Sequence, residues 1–179
     1  MGYNLGMIVI PFALLLFVLI VFFLIYSWDV FSTFNSAPFV RVSKNVMPKI
    51  IELLEIKNDS VVYDLGCGDG RVLMECYEHN KNARYVGIEK SITTYILAKI
   101  KTRKINNIII LFGDFFKKDL SGATHVFLYV LPETMDKLFP KLKRELKNGS
   151  IAVSCSFEFS HKKPSKTIKP NKKLFVYNF

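Results

Sequence analysis

Hydrophobic positions along the chain fall into one unbroken block, followed by shorter runs whose period alternates. From Met7 to Tyr26 the sequence MIVIPFALLLFVLIVFFLIY carries no charge. A run of that length, at about 1.5 Å rise per residue, covers the ~30 Å hydrocarbon layer of a bilayer, so the pattern predicts one transmembrane helix. A cleaved signal peptide would want a basic residue ahead of a shorter apolar stretch, and residues 1 to 6 have none. A buried core helix would show a polar face, and this run shows none. Pro11 sits one turn into the span, where the loss of a backbone donor is tolerated, and Tyr3, Tyr26 and Trp28 flank it as interfacial aromatics. Residues 1–30 are therefore read as a membrane anchor and 31–37 as a linker, Ser32 to Pro38 (STFNSAP) being a polar, Pro-terminated connection. Residues 38–179 are read as one globular domain.

Past residue 38 the spacing becomes that of alternating helices and strands. A helix is expected after Ser43 as N-cap, with Val46, Ile50, Leu53 and Leu54 on one face. Ser60 to Leu65 reads as a short buried strand running through glycines into a helix that carries Val72, Leu73 and Cys76. Ala83 to Glu89 is a second strand, and Ser91 caps a helix to about Arg103. Strands follow at Asn107 to Phe112 and Thr124 to Val130, then a helix through Leu146 closed by Lys147-Asn-Gly149, then a fifth strand at Ile151 to Phe159. Two short strand candidates, near Thr167 and at Leu174 to Tyr177, are separated by a Pro-Asn turn. Such alternation predicts an α/β fold, a doubly wound, mostly parallel sheet with helices on both faces.

Charge adds a partner preference. The 179 residues carry a formal net charge of +10, which favours anionic lipid, nucleic acid or an acidic protein face, or serves solubility alone. Lysines begin after the apolar span, so the positive-inside tendency puts the globular part in the cytoplasm. Lys162, Lys163, Lys166, Lys169, Lys172 and Lys173 crowd the C-terminal end. Cys67, Cys76 and Cys155 form no CxxC or Cys/His pattern, and His79, His125 and His161 are scattered singly; no metal site or disulfide framework is expected.

The chemistry is concentrated in Val61-Val-Tyr-Asp-Leu-Gly-Cys-Gly-Asp-Gly-Arg71. In a doubly wound sheet this turn opens on the crevice at the carboxyl ends of the strands. Gly66 and Gly68 let a ligand approach the backbone, and the helix N-terminus that follows suits a carboxylate. A dinucleotide site would want G-x-G-x-x-G, whereas Gly70 is followed by Arg71 and Asp64 stands two residues ahead of the first glycine. That acid would repel a pyrophosphate but can take a hydrogen bond and positive charge from an amino group. Glu89, ending the second strand, is placed for ribose hydroxyls, and Gly113-Asp114-Phe115, ending the third, for an adenine.

Asp64, Gly66, Gly68 and Gly70 match the D-x-G-x-G-x-G motif of the class I (seven-strand) S-adenosylmethionine-dependent methyltransferases, which this sequence resembles over roughly residues 38 to 159. The resemblance implies S-adenosylmethionine as cofactor, held by Asp64, Gly66, Gly68, Gly70, Glu89, Asp114 and Phe115. Pro38-Phe39-Val40, the core VVYDLGCGDGRV and Leu128-Tyr129-Val130-Leu131-Pro132 are similar to protein lysine methyltransferases of the archaeal broad-specificity and mitochondrial translocase and ATP synthase c-subunit type. This implies a lysine ε-amine of a protein as acceptor, with Tyr129 orienting it, Phe39 in the wall, and Glu133 a weaker candidate. The Asn/Asp-Pro-Pro-Tyr/Phe motif of many enzymes acting on planar nitrogens is replaced by Tyr129-Val-Leu-Pro132. Little room remains after the fifth strand for another helix, so the antiparallel end of the sheet is expected to be abbreviated. An RNA, small-molecule or lipid methyltransferase and a non-catalytic S-adenosylmethionine-binding interaction protein are the alternatives.

Overall fold

The computed structural model describes residues 5–33, 41–169 and 172–179. Tyr3, Phe39 and the Pro170-Asn171 turn lie outside them. The chain forms two units, Met1–Pro38 and Phe39–Phe179.

In the first unit, helix α1 spans Leu5–Thr33 and carries Pro11 inside it. Its stretch Val9–Trp28 has a mean hydropathy of 3.1, and the large apolar side chains described there are exposed on every side. By length and composition it is able to cross a membrane.

The second unit is built on a seven-stranded sheet of order β3-β2-β1-β4-β5-β7-β6. Strands β1 (Val61–Leu65), β2 (Arg84–Glu89), β3 (Ile108–Phe112), β4 (His125–Leu128) and β5 (Ile151–Cys155) are mutually parallel. β7 (Leu174–Asn178) runs antiparallel between β5 and β6 (Lys166–Ile168). One face, with Val62, Ile110, Phe127, Val153 and Leu174, packs on α2 (Met47–Leu54), α3 (Arg71–His79) and Ala98 of α4 (Ile92–Thr102). The opposite face, with Leu65, Val126, Leu128 and Tyr177, packs on α5 (Pro132–Glu145). Strands buried on both faces are what a parallel doubly wound sheet demands.

Three boundaries differ from the sequence expectation by more than one residue. α2 begins at Met47, with Val46 and not Ser43 at its N-cap, because Pro48 fits the first helical turn, where no N–H is needed. Ser43 instead closes a turn, its carbonyl accepting from Val46 N at 3.0 Å. β4 stops at Leu128, and Tyr129 and Val130 lead into α5, whose first turn holds Pro132. β5 stops at Cys155 because Ser156 turns to φ +74°. The antiparallel end is complete in strands; its economy lies in a β5 to β6 connection without a helix. That connection is tied down by Ser160 N and Oγ donating to the Asp136 carboxylate at 2.8 and 2.6 Å, and by the buried ring of Phe159 against Tyr177.

Candidate active site

The turn between β1 and α3 is shaped by three left-handed glycines, Gly66, Gly68 and Gly70, with φ of +82°, +55° and +76°. Gly66 N and Cys67 N both donate to Ile88 O, at 2.9 and 3.1 Å, so the turn lies against the end of β2. Asp64 sits under it, 3% exposed, between Gly87 of β2 and Phe127 of β4 in the strand register. Among the described residues its Oδ2 is a buried carboxyl oxygen with no hydrogen-bond partner. Burial, followed by the charges of Glu89 and Asp69, pushes the Asp64 carboxyl up to about 8. A buried acid of this kind matches a cationic donor, which restores its charged form and satisfies the oxygen. The ammonium of S-adenosylmethionine is such a group, and the glycines beside Asp64 carry no Cβ to keep a ligand from the backbone.

Glu89 is oriented by two backbone donors, Gly68 N to Oε2 and Ser91 N to Oε1, both at 2.8 Å. Each oxygen keeps a second lone pair, so hydroxyls of a ribose have acceptors in fixed positions. At the end of β3, Gly113 N donates to Glu89 O at 2.8 Å, which brings the next loop beside Glu89. Asp114 Oδ1 caps the short 3-10 turn Phe115–Lys117 by accepting from Phe116 N at 2.9 Å. Phe115 is half-buried, its ring centroid 4.9 Å from that of Phe116. The structure thus sets Asp64, Glu89 and Asp114 at the ends of three adjacent strands, around the glycine turn.

Two supporting residues escaped the sequence reading. Asp69 lies fully buried inside the glycine turn; its carboxylate accepts from Arg71 Nε and Nη2 at 3.0 and 2.9 Å and from Lys101 Nζ at 2.6 Å. Burial works against its charged form, but the hydrogen bonds and charges of Arg71 and Lys101 outweigh it and hold the carboxyl well below the usual range. An acid followed two residues later by arginine was the available signal. Gly87 was the other: a Cβ there would come within 2.6 Å of Cys67 Sγ and 2.8 Å of Leu73 Cδ1, and a lone glycine inside a strand pattern marks such an approach.

Tyr129 follows β4, half-buried against the α2 and α3 face. Its hydroxyl accepts a hydrogen bond from Lys172 Nζ, and the same ammonium stands 4.6 Å from its ring centroid. Glu133 is exposed in the first turn of α5. Phe39 is outside the described residues. Cys67, Cys76 and Cys155 are buried free thiols, each pushed up chiefly by burial. No grouping of three or more metal-binding side chains occurs among the described residues.

The family model described as the ANTKMT methyltransferase domain matches residues 64–166. A protein-lysine N-methyltransferase of Saccharolobus islandicus is 34% identical over 135 residues, covering 74% of this chain and 84% of that protein. The human lysine N-methyltransferase of the ATP synthase c-subunit is 24% identical, covering 71% of this chain and 54% of its own length, so this chain spans about half of that relative. Among solved structures, an RNA methyltransferase from Salinibacter ruber in complex with S-adenosyl-L-homocysteine superposes with a TM-score of 0.75 at 31% identity, over 78% of this chain and 93% of that one.

Proposed function

The chain belongs to the ANTKMT methyltransferase domain family and is an S-adenosylmethionine-dependent methyltransferase, and from that premise we propose that its acceptor is a lysine ε-amine of a protein at a membrane. Residues 1–30 are the anchor, 31–37 the linker and 38–179 the catalytic domain in this reading. The uncharged span within α1 supports the anchor, and the lysines that follow it favour a cytoplasmic domain.

Asp64 would take the cofactor's ammonium, the glycine turn its carboxylate, Glu89 the ribose hydroxyls, and Asp114 with Phe115 the adenine. When bound, the cofactor supplies an electrophilic sulfonium methyl. A neutral lysine amine is already a competent nucleophile, so the protein's contribution is alignment, with the proton lost to water before transfer. Tyr129 orients the amine through its hydroxyl, and its ring face holds the alkylammonium before deprotonation. The observation that carries the lysine reading is this residue: its ring and hydroxyl together already receive a lysine ammonium, that of Lys172. The names of the archaeal and human relatives support the same acceptor.

An RNA acceptor is the second reading, supported by the Salinibacter ruber likeness and the net charge of +10. The two separate in one experiment. The full chain in lipid nanodiscs is incubated with methyl-labelled cofactor, a membrane-protein extract and total RNA. Label in protein lysine is the expected result; label in RNA or lipid with none in lysine overturns the proposal.

A further inference from the structure

Lys172 lies in the segment entering β7, two residues ahead of Leu174. Leu128 pairs with Ser154, and Cys155, the next residue, pairs with Leu174. Tyr129, Cys155 and Leu174 therefore form one row at the ends of β4, β5 and β7, and alternation sends Lys172 toward the same face as Leu174. Its neighbour is fixed to the sheet, since Ser156 N donates to Lys173 O at 2.8 Å. The Lys172 ammonium contacts both the hydroxyl and the ring of Tyr129, and its charge also acts on the Cys155 thiol. Lys162, by contrast, rests on the Phe179 ring at 4.6 Å.

This amine is also close to the cofactor residues. Phe127 pairs with Asp64, and Tyr129 lies two residues further along the same face. At about 3.3 Å per residue and 4.8 Å between strands, the Cα atoms of Asp64 and Tyr129 are ~8 Å apart. A ligand anchored by its ammonium at Asp64 reaches toward Tyr129 within the length of an amino-acid side chain.

We propose that Lys172 is itself a methyl acceptor, modified in cis by the site at whose Tyr129 it rests. The inference depends on the lysine reading above. The Lys172 ammonium first sheds a proton to water. The neutral nitrogen then forms a C–N bond with the methyl carbon as the sulfonium C–S bond breaks, giving methyl-lysine and S-adenosylhomocysteine. Each transfer leaves the nitrogen as an ammonium, so after one or two methyl groups Lys172 is still a donor for the Tyr129 hydroxyl; a third removes the last N–H and leaves only the cation–π contact. Until it moves away, Lys172 competes with an incoming lysine.

The test uses the full chain, freed of cofactor, with heavy-methyl S-adenosylmethionine and a lysine-rich peptide. Peptide mapping by tandem mass spectrometry is expected to find heavy methyl at Lys172 ahead of Lys169 and Lys173, at a rate per molecule that holds on dilution. In Lys172→Met the KM for the peptide falls about fivefold, the hydrogen-bonded competitor being gone. Acylation footprinting of the cofactor-free protein gives a readout independent of turnover: Lys172 reacts more slowly than Lys169 and Lys173, and Tyr129→Ala removes that protection. Peptide methylation with Lys172 unmodified and unprotected overturns the inference and leaves the lysine reading standing. Labelling of Lys172 that slows on dilution overturns the in-cis assignment. Label in RNA with none in any lysine overturns both.

Discussion

Lys101 Nζ donates to Asp69 Oδ2 at 2.6 Å, and that contact fastens α4 to the turn between β1 and α3. Because Asp69 is buried while Arg71 and Lys101 are partly exposed, removing the acid strands no fully buried charge, and Asp69→Ala is expected to cost about 1–3 kcal/mol of stability. The same change loosens the glycine turn, so cofactor affinity drops with it. Urea unfolding and calorimetric titration measure the two effects. Since the folded carboxyl is held below its ordinary range, its contribution is fully present above that range, begins to fade as pH falls through it and is gone only well below it. The wild-type margin over Asp69→Ala should therefore not change between about pH 7 and pH 5.

Asp64 behaves in the opposite sense. Its folded carboxyl titrates near 8, against about 3.9 in an unfolded chain, so between those values the folded state holds the extra proton. Stability of the cofactor-free protein falls as pH rises through that window, and Asp64→Asn removes this slope. Binding of a cation at Asp64 expels the proton, so affinity for S-adenosylmethionine tightens from about pH 6 to 7.5, by up to about tenfold per pH unit. Calorimetry in buffers of different ionisation enthalpy detects the released proton. An affinity that stays level across that range, in wild type and Asp64→Asn alike, would remove Asp64 from the cofactor site.

Gly87 has no room for a methyl group. Gly87→Ala is expected to lower stability by about 1–3 kcal/mol through overpacking against Cys67, Leu73 and Ile110. Cys67→Ala, which deletes the nearest atom, should recover part of that loss when combined with it. Additive losses in the double variant would contradict the geometry.

Tyr129 offers a hydroxyl and a ring, and two substitutions separate them. In a Lys172→Met background, where no internal lysine competes for the hydroxyl, Tyr129→Phe keeps the ring and is expected to lower kcat/KM on a lysine peptide about fivefold, the value of one hydrogen bond. Tyr129→Ala also loses the cation–π face and costs roughly tenfold more. Cofactor affinity measured alongside should stay within about twofold in Tyr129→Phe.

Helix α1 predicts a partition experiment. An uncharged span of mean hydropathy 3.1 is expected to keep the full chain in the membrane pellet through alkaline carbonate and high salt, which release proteins held by charge alone. Recovery in the supernatant would leave the basic surface as the only basis for membrane attraction.

The glycine turn, Asp64 and Glu89 were legible in the sequence because each answers a local demand: positive φ at Gly66, Gly68 and Gly70, and an acid at a strand end. Ser91 was legible as a cap for the same reason, its Oγ accepting from Thr94 N. Ser43 was misleading because Pro48, further along, governed where α2 starts. The ends of β4 and β5 were hidden by apolar continuity: Val130 remains buried under α5 after the ladder has stopped, and the turn at Ser156 has no glycine to announce it. Lys172 and Tyr129 meet across 43 positions of sequence, a pairing that only the sheet order reveals.

In the order β5-β7-β6 the last residues of the chain close the sheet. Among the described residues β6 pairs only with β7, so without Leu174–Asn178 it has no place in the sheet. Without β7, β5 would present an open edge of backbone donors and acceptors. A chain cut short before residue 174 would thus keep the five parallel strands yet offer β5 to a neighbour, so loss of only a few C-terminal residues invites aggregation.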